Sequence, residues 1–436
     1  MRRSPRTQLP HAEVSVRPFK VPPPTTISTY ITALVRADRK NLKEARRAPA
    51  PLSSVARGSH RRRILYAITH HTTAMSFLRG QLRYIQSQDW DVHLSCSPGP
   101  GLSDFAQLEG VQLHTIMVQR DISIWRDLRA FIEWTSLIAR LKPDIVNYST
   151  PKASLLAGLA AWMLRVPTRI YVLRGLRLES GQGPMRKLLA AIEKLCMYMS
   201  THVVAVSPSL AEEVVRYRLG APQKMVVIGQ GSSNGVDPDR FTLSPLQRED
   251  AREHLAIPND AYCVGFVGRV RADKGIPSLV ESMKTPELKD AVLIVQGRVE
   301  DPAMEELLRE LGPRLCKIGW SSNVASTLAA CDVLALPTHR EGFPNVVLEA
   351  ACMAVPAVAT TATGSRDAVV HEQTGLLVPV DDHLALAEAL ARLYRDATLR
   401  LRLGQAARRR AVTDFSRHSI WDGLIELYDT AYGRRT

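Results

Sequence analysis

Residues 333–349 read VLALPTHREGFPNVVLE, an apolar run followed by a polar loop and a second apolar segment. Val333–Leu336 is a short apolar run of the kind found in buried strands. Pro344 predicts a helix that begins at about that residue, because the first helical turn does not need the N–H that proline lacks. Strand, loop and helix in this order are the repeating unit of parallel α/β sheets, so the stretch predicts that fold class.

The same alternation of strands and helices extends over most of the chain, in two sets. The strands predicted in the first set are Ile64–Ile68, Val92–Cys96, Asp144–Tyr148, Ile170–Leu173, Val203–Val206 and Met225–Ile228. Those predicted in the second set are Val264–Val267, Ala291–Val295, Cys316–Ile318, Val333–Leu336, Ala357–Thr360 and Gly375–Val378. Two such sets predict two Rossmann-like, doubly wound parallel-sheet domains that face each other across a cleft. Ligands are then expected at the loops that follow the carboxyl ends of the strands.

Two helices of the first set have clear sequence signals. Thr150 and Pro151 predict an N-cap and a first-turn proline for a helix over Lys152–Leu164. A second helix is predicted over Asp127–Leu141, closed by Pro143. The residues that its periodicity places on one helical face are Leu128, Phe131, Ile132, Thr135 and Ile138.

Charge and glycine content divide the chain further. Residues 1–63 carry 15 Lys and Arg against 3 Asp and Glu, a net charge of +12, whereas the rest of the chain has a net charge of +2. The Pro-rich and Arg-rich segment 1–63 is therefore predicted to be a basic, disordered tail. Gly229–Asp237, with three glycines and two serines, is the predicted hinge. We expect a first domain at 64–230, a second domain at 231–415, and a final helix at 416–436 that crosses back to the first domain.

Composition also excludes several classes of protein. The chain has no uninterrupted apolar run of about 18 residues and no apolar centre of a signal peptide, so we expect a cytoplasmic protein. The six cysteines are scattered without a Cys-x-x-Cys pair, which argues against a zinc site or a disulfide framework. Aromatic residues are not interleaved with the basic ones, so nucleic acid is not the expected partner.

The loop after Val333–Leu336 has the composition of a receptor for an oxygen-rich ligand. The unbonded N–H groups of Phe343, Asn345 and Val346 are expected to point into the cleft with the positive end of the helix dipole. Glu349 follows one turn later on the side of Asn345, where its carboxylate would accept hydrogen bonds from ribose hydroxyls. Glu341 lies before the helix, within reach of a polyhydroxyl ligand. Taken alone, these two residues would be read as a buried structural acid and a surface loop acid.

The spacing of these glutamates resembles the Glu-x7-Glu signature of glycosyltransferase family 4, whose members are retaining enzymes of the GT-B fold. Further segments are similar to family segments at matching places: Gly268–Gly275, Thr363–Asp367, Thr374–Val378, Gly231–Asp237 and Thr150–Ala153. The resemblance covers about residues 64–436 and is greatest to the polysaccharide-biosynthesis branch. It implies the GT-B architecture, with an acceptor-side domain at 64–230 and a nucleotide-sugar domain at 231–415.

The resemblance also implies roles for individual residues. Arg269 and Lys274 both follow the carboxyl end of a strand, where two cations neutralise a diphosphate leaving group without a metal ion. Catalytic roles are implied for Glu341, Arg269 and Lys274. Donor binding is implied for Glu349, Gly342, Phe343, Pro344, Asn345, Val346, Gly268, Gly319 and Trp320. Gly319 and Trp320 belong to a turn that would contact the base, although Trp320 would serve equally well in packing.

The acceptor side departs from the family pattern. Many relatives have a histidine just after the strand that corresponds to Asp144–Tyr148, whereas this chain has Asn147, Tyr148 and Ser149 there. Asn147 or Ser149 would hydrogen-bond a donor sugar or cap a helix. Two arginines of a later cleft loop suit an anionic acceptor or are simply solvated. The acceptor-side candidates are Asn147, Ser149, Lys152, Arg174 and Arg177.

The expected activity is retaining transfer of a hexosyl or N-acetylhexosaminyl group from a nucleoside-diphosphate sugar, with the uridine form preferred. The expected acceptor is a hydroxyl of a glycan or lipid-linked molecule used in cell-envelope polysaccharide biosynthesis. The alternatives are a nucleotide-sugar 2-epimerase of the same fold and a non-catalytic sugar-nucleotide-binding subunit. No cofactor and no metal ion are expected. The tail is expected to contact anionic membrane at the inner face, with a solubilising extension or a targeting segment as alternatives.

Overall fold

The computed structural model describes residues 62–119, 123–242, 244–321 and 323–433. All of them belong to one compact unit, Arg61–Thr436. The predicted tail lies outside the described residues, apart from Arg62 and Arg63 at the start of the first strand. Within the described ranges, no helix is long and apolar enough to cross a membrane.

Two parallel sheets organise this unit. The first sheet has the strand order β3-β2-β1-β4-β5-β6-β7 and the second β10-β9-β8-β11-β12-β13. The strands of the first are β1 (Arg62–Ile68), β2 (Trp90–Cys96), β3 (Gln112–Thr115), β4 (Ile145–Ser149), β5 (Thr168–Leu173), β6 (His202–Ala205) and β7 (Met225–Val226). Those of the second are β8 (Cys263–Val267), β9 (Val292–Gln296), β10 (Leu315–Gly319), β11 (Val333–Leu336), β12 (Ala357–Thr360) and β13 (Gly375–Val378). The predicted fold class is confirmed.

Helices connect the strands and cover the sheets. Those around the first sheet are α1 (His71–Phe77), α2 (Gln81–Gln86), α3 (Leu102–Glu109), α4 (Ile124–Leu141), α5 (Pro151–Met163), α6 (Gly183–Met199) and α7 (Pro208–Arg216). Those that follow are α8 (Pro245–His254), α9 (Ile276–Met283), α10 (Pro302–Arg309), α11 (Val324–Ala330), α12 (Asn345–Cys352), α13 (Ser365–Ala368), α14 (His383–Arg395), α15 (Ala397–Asp414) and α16 (Arg417–Gly433). Short 3-10 turns occur at Arg177–Ser180, Pro222–Lys224, Ala272–Lys274, Pro286–Leu288 and Gly312–Arg314.

Strand β3 was not among the predicted strands. It lies at the edge of the first sheet and pairs only with β2. Gln112 and Thr115 are exposed, and Leu113 and His114 are half-buried. An edge strand of this kind lacks the continuous apolar run that predicts a central strand in a parallel sheet.

Helix α4 buries only part of the face that periodicity predicted. Its buried residues are Ala130, Trp134, Leu137 and Ile138, and only the last of these belongs to the predicted face. Leu128 and Ile132 of that face are 46% and 57% exposed. Trp134 is fully buried, and its indole N–H donates to the Ser95 hydroxyl of β2 (3.1 Å), so the side of the helix that carries Trp134 packs on the sheet.

Thr150 occupies the predicted N-cap position of α5 and Pro151 the predicted first turn, but the Thr150 side chain makes no capping hydrogen bond. Its hydroxyl instead accepts from the Thr69 backbone N–H (3.1 Å) and bonds the Thr69 hydroxyl (2.6 Å). This contact joins the loops that follow β1 and β4. Ser207, by contrast, caps α7 with its side chain, because its hydroxyl accepts from the Leu210 N–H.

The Gly229–Asp237 segment and the last helix pack together beside the first sheet. The Val236 N–H donates to the Phe415 carbonyl (2.8 Å) just before α16 begins. From α16, the Trp421 indole donates to Asn234 (2.7 Å), and the hydroxyl of Tyr428 bonds that of Tyr66 in β1 (2.8 Å). The domain boundaries that we infer from the sequence stay a prediction.

Candidate active site

The loop between β11 and α12 is held by backbone contacts on both sides. The Glu341 N–H donates to the Thr363 carbonyl (2.9 Å), and the His339 N–H donates to the Asp273 carbonyl (3.1 Å). A Cβ atom on Gly342 would lie 2.1 Å from the carbonyl oxygen of Arg174, which belongs to the loop after β5. Only glycine permits this approach, so loops from the two sheets meet beside Glu341.

Lys274 and Glu341 are brought into direct contact. The Lys274 ammonium lies 2.6 Å from a Glu341 carboxylate oxygen, and the two side chains are 13% and 21% exposed. Lys274 ends the 3-10 turn Ala272–Lys274, which is followed by Gly275 at φ +73°. A Cβ atom on Gly275 would lie 1.9 Å from the carbonyl oxygen of Pro337, so a larger residue would push the two loops apart. This pair is the most enclosed charged contact among the predicted catalytic residues.

Arg269 takes a different partner. Its guanidinium lies 3.2 Å from the Glu300 carboxylate, and its side chain is half-exposed. Arg271 contacts the same carboxylate at 3.4 Å. Gly268, just before Arg269, donates its N–H to the Gln296 carbonyl at the end of β9 (2.9 Å). The exposed Arg269 pair is a weak one, so the guanidinium can exchange Glu300 for a ligand anion.

Helix α12 begins at Asn345, with Pro344 at its N-cap. The buried side-chain oxygen of Asn345 has no hydrogen-bond partner in the part of the chain that is described. Phe343 is buried and its ring packs against that of Phe415 (5.3 Å between centroids). Val346 is half-buried in the first turn. The start of α12 therefore combines an unpaired amide oxygen with helix N–H groups, an arrangement that suits a hydroxylated anion.

Glu349 is half-buried one turn further along α12. Burial raises its pKa to about 7, and the nearby positive charges of Arg240 and Arg417 oppose that rise. The carboxylate thus sits in a site that favours its neutral form unless a hydrogen-bonding partner arrives.

Gln296 is a site residue that sequence reasoning missed. It is buried at the carboxyl end of β9, and its amide donates to the Ser321 carbonyl (3.1 Å). The Gly297 N–H donates to the Gly319 carbonyl (2.8 Å). These bonds hold the turn that presents Trp320, whose side chain is 71% exposed. The sequence signal that could have identified Gln296 is a polar residue at the end of an otherwise apolar strand.

The acceptor-side candidates are dispersed among structural partners. Asn147 is buried in β4 and donates its amide N–H to the Tyr428 hydroxyl (2.8 Å). Ser149 is buried at the end of the same strand. The Lys152 ammonium lies 2.7 Å from the Asp127 carboxylate of α4. The structure therefore does not gather these three side chains at one point.

Arg174 and Arg177 also lie in different surroundings. The Arg174 guanidinium stacks 4.6 Å from the centre of the Phe77 ring, and burial lowers its pKa to about 10. Its Nε and Nη1 have no hydrogen-bond partner among the described residues, and it borders a cavity of about 20 Å³. That volume suffices for one water molecule. Arg177 is exposed in the 3-10 turn that follows.

A row of hydrogen bonds between polar residues beside Glu341, which we call the polar seam, was not predicted. The Thr363 hydroxyl donates to the Glu179 carboxylate (2.7 Å), whose pKa is raised by burial. The Gly364 N–H donates to the Ser209 hydroxyl (2.7 Å), and that hydroxyl donates to Asp367. Loops after β5 and β6 thereby bond the loop after β12. Burial raises the pKa of Asp367 as well.

No group of three or more His, Cys, Asp or Glu side chains is arranged to hold a metal ion in the ranges that the structure describes. Asp237 bonds the Asp239 N–H (3.2 Å) and pairs with Arg417 (2.7 Å). Asp382 caps α14. The expectation of a metal-free reaction stays a prediction.

Comparisons with known proteins identify the family. Residues 76–240 match the family described as Glycosyltransferase Family 4, and residues 247–410 match the one described as Glycosyl transferases group 1. Together the two matches cover the second sheet and every strand of the first sheet except β1. The predicted resemblance is confirmed: the chain belongs to glycosyltransferase family 4, and its two parallel-sheet domains form the GT-B fold.

Individual relatives span nearly the whole folded chain. The chain is 35% identical to a capsular polysaccharide biosynthesis glycosyltransferase, CapM, of Staphylococcus aureus, over 82% of this chain and 94% of that protein. It is 24% identical to a UDP-Gal:alpha-D-GlcNAc-diphosphoundecaprenol alpha-1,3-galactosyltransferase of Escherichia coli, over 82% and 95%. Its fold matches that of HepE of Anabaena, solved in complex with UDP and glucose, with a TM-score of 0.70 at 17% identity, over 85% and 100% of the two chains. The protein is a glycosyltransferase.

Proposed function

We propose that the protein transfers a hexosyl or N-acetylhexosaminyl group from a UDP-sugar to a hydroxyl of a glycan or lipid-linked acceptor, with retention at the anomeric carbon. The observation that carries this proposal is the Lys274–Glu341 contact beside the start of α12. This contact brings a cation and a carboxylate together next to the N–H groups of a helix start, a combination that supports a sugar diphosphate as the donor.

Each donor-side group has one task in this reaction. Lys274 and Arg269 neutralise the diphosphate, together with the N–H groups at the start of α12. Both cations already face carboxylates, Glu341 and Glu300, so the donor diphosphate would replace those partners. Glu341, once released from Lys274, accepts a hydrogen bond from the sugar. Glu349 accepts from the ribose hydroxyls.

The transfer itself follows a front-face course. The bond between the anomeric carbon and the diphosphate oxygen breaks, and the acceptor oxygen forms its bond on the same face. The proton of the acceptor hydroxyl passes to the leaving phosphate oxygen. Lys274, Arg269 and the α12 N-terminus stabilise the charge that develops on the leaving group.

The names of the relatives support this choice of substrates. One relative is named for capsular polysaccharide biosynthesis, and another for UDP-galactose and a diphosphoundecaprenol acceptor. The HepE structure holds UDP and glucose. We therefore propose a role in cell-envelope polysaccharide biosynthesis, at the inner face of the membrane.

Incubation of the purified protein with UDP-sugars and candidate acceptors tests the proposal. Proton NMR of the product should show the anomeric configuration of the donor sugar. Turnover of the nucleotide sugar without any acceptor, giving an epimer, would instead identify a 2-epimerase. Binding of the nucleotide sugar without transfer or hydrolysis would identify a non-catalytic subunit.

The reaction should not require a divalent metal ion, because Lys274 and Arg269 supply the positive charge. The initial rate should be unchanged when EDTA is added. A rate that returns only with magnesium or manganese would contradict this part of the proposal.

The basic segment 1–63 is proposed to tether the protein to anionic membrane. Each Lys or Arg near such a surface contributes roughly 1 kcal/mol, so a net charge of +12 suffices for reversible attachment. A chain that begins at Arg61 should keep its activity on a water-soluble acceptor but sediment less with anionic vesicles at low salt. Equal sedimentation of the two chains would show that this segment is not an anchor.

A further inference from the structure

The exposed apolar side chains are concentrated on one side of the first sheet. Within the described residues, 21 large hydrophobic side chains are exposed, and 11 of them lie on α4, α5 and α6 or at the end of α5. They are Ile124, Trp125, Leu128, Ile132, Trp162, Met163, Leu164, Met185, Leu188, Leu195 and Tyr198. We call this surface the α4–α6 face. Single exposed hydrophobic residues are ordinary, but a concentration of this kind marks an interaction site.

The three helices form a continuous layer, with α5 in the middle in contact with both neighbours. At the ends of α5 and α6, the Trp162 and Tyr198 rings lie 6.5 Å apart. Trp125 is 82% exposed and Tyr198 is 69% exposed. Helix α5 is apolar on its outer side as well as its inner side, a composition that is typical of a helix covered on all sides.

The charge on this face is positive. Each of the acidic residues on the three helices is engaged: Asp127 with Lys152, Glu133 with Arg129, and the buried Glu193 with the Tyr171 hydroxyl. The exposed basic residues on or beside the helices are Arg126, Arg129, Arg140, Lys142, Arg165, Arg186, Lys187 and Lys194. A partner for this face must therefore be both apolar and anionic.

Charge selects among the candidate partners. A second copy of the chain docked by two-fold symmetry would place this basic face against itself. Residues 1–63 of the same chain have a net charge of +12, so like charges disfavour them too. An anionic lipid bilayer satisfies both requirements, because its headgroups attract Lys and Arg while its interface accepts Trp, Tyr and aliphatic side chains.

We propose that the α4–α6 face docks the folded protein on an anionic lipid bilayer, independently of the segment 1–63. The face reaches the edge of the sheet where the acceptor-side candidates lie, because Asp127 of α4 pairs with Lys152 at the start of α5. The docked protein therefore presents this edge near the headgroups. This surface goes beyond the proposed transfer reaction and does not depend on the identity of the sugar.

Co-sedimentation of the full chain with vesicles of phosphatidylglycerol and phosphatidylethanolamine tests the proposal. The salt concentration is the same for every variant, so the contribution of the basic segment 1–63 is constant throughout the comparison. The face variant carries Trp125→Ser, Leu128→Ser and Tyr198→Ser. The control variant carries Leu246→Ser, Leu384→Ser and Leu401→Ser, three leucines of the second domain that are 62–70% exposed. We expect the partition coefficient of the face variant to fall by at least about tenfold, and that of the control to stay at the wild-type value.

Two further substitutions test the contribution of the positive charge on the α4–α6 face. Lys187→Gln with Lys194→Gln should weaken vesicle binding at low salt, even if the face variant folds poorly. Equal partition of the face variant and the wild type would overturn the proposal, as would equal binding to vesicles of phosphatidylcholine alone. Sedimentation velocity showing a wild-type dimer that the face variant dissociates, with vesicle binding unchanged, would make the face a subunit interface. Both variants should keep wild-type transfer to a water-soluble acceptor, so absence of transfer in the wild type would contradict only the proposed function.

Discussion

The two sides of the cleft use their polar residues differently. On the donor side, Lys274 and Glu341 face each other at 2.6 Å, and a short helix begins beside them at Asn345, whose amide oxygen has no partner among the described residues. On the acceptor side, Asn147 bonds Tyr428 and Lys152 bonds Asp127. The donor-side charges pair with each other on loops that backbone contacts hold in place, so a ligand that carries the same kinds of charge can replace either partner. The acceptor-side groups lie in a strand or near a helix start, where neighbouring elements satisfy them.

This difference shows which sequence motifs predict the position of a side chain in the site. A motif whose residues follow a strand end and lie in a tight loop has its position fixed by local backbone contacts. Polar residues without such a loop are free to take structural partners. If this comparison is right, donor-side substitutions change catalysis and binding, and acceptor-side substitutions change stability.

The largest effect is expected from breaking the Lys274–Glu341 contact. Lys274→Met should lower turnover about 10²–10³-fold, because a preorganised charge at the leaving group is lost. Glu341→Ala should lower turnover at least about tenfold, with a smaller change in donor affinity. Steady-state kinetics of both single variants and the double variant measure this. Effects that simply multiply would show that the two residues act independently.

Glu349→Ala should weaken donor binding at least about tenfold, since a hydrogen bond to a charged group contributes about 1.5–3 kcal/mol. Isothermal titration with UDP measures the dissociation constant. Glu426→Ala, on the last helix, is the matched control and should leave the constant unchanged. An unaltered constant in Glu349→Ala would remove this residue from the donor site.

Asn147→Ala should destabilise the fold by about 1–3 kcal/mol, because the buried Tyr428 hydroxyl loses a donor. Urea unfolding measures the loss. UDP affinity should be unchanged, and Tyr428→Phe should cause a loss of similar size. A weakened UDP affinity with normal stability would place Asn147 in the substrate site. It would contradict the difference between the two sides of the cleft.

The raised pKa of Glu349, about 7, predicts that the stability of the fold depends on pH. The folded state binds this proton more tightly than the unfolded state, whose glutamate pKa is about 4.5. The proton bound to Glu349 therefore stabilises the fold fully below about pH 4.5, and this stabilisation is lost as the pH rises through about 7. Thermal melts of the wild type and Glu349→Gln should diverge over that window, with the wild type losing stability relative to the variant. Donor affinity of the wild type should rise over the same window, because ribose hydroxyls need the ionised carboxylate. Parallel melts would contradict this expectation.

The smallest effect is expected at Trp320. Trp320→Ala should change stability by less than about 0.5 kcal/mol, because the side chain is 71% exposed. If the indole stacks on the base, UDP affinity falls several-fold while affinity for inorganic diphosphate stays the same. Equal affinity for UDP in the variant and the wild type would show that the Trp320 indole does not stack on the base.

Much of the fold could be predicted because buried parallel strands are short apolar runs. Strands β11, β12 and β13 begin and end at the predicted residues. The edge strand β3 was missed because its side chains are half-exposed and lack that pattern. The buried side of α4 could not be predicted either, because two apolar stripes compete on this helix and the sheet selects the one with Trp134.

The candidate site shows the same division. The sequence by itself determined the family, the two-sheet architecture and the loop with Glu341 and Glu349, because short apolar strands, helix starts and tight loops are local patterns. Only the tertiary structure decided that Lys274 meets Glu341, that Asn147 is taken by Tyr428, and that Thr363 and Ser209 form a seam between loops of the two sheets. These contacts join residues 67 to 281 positions apart, and pairing at such separations depends on how the sheets and the last helix pack.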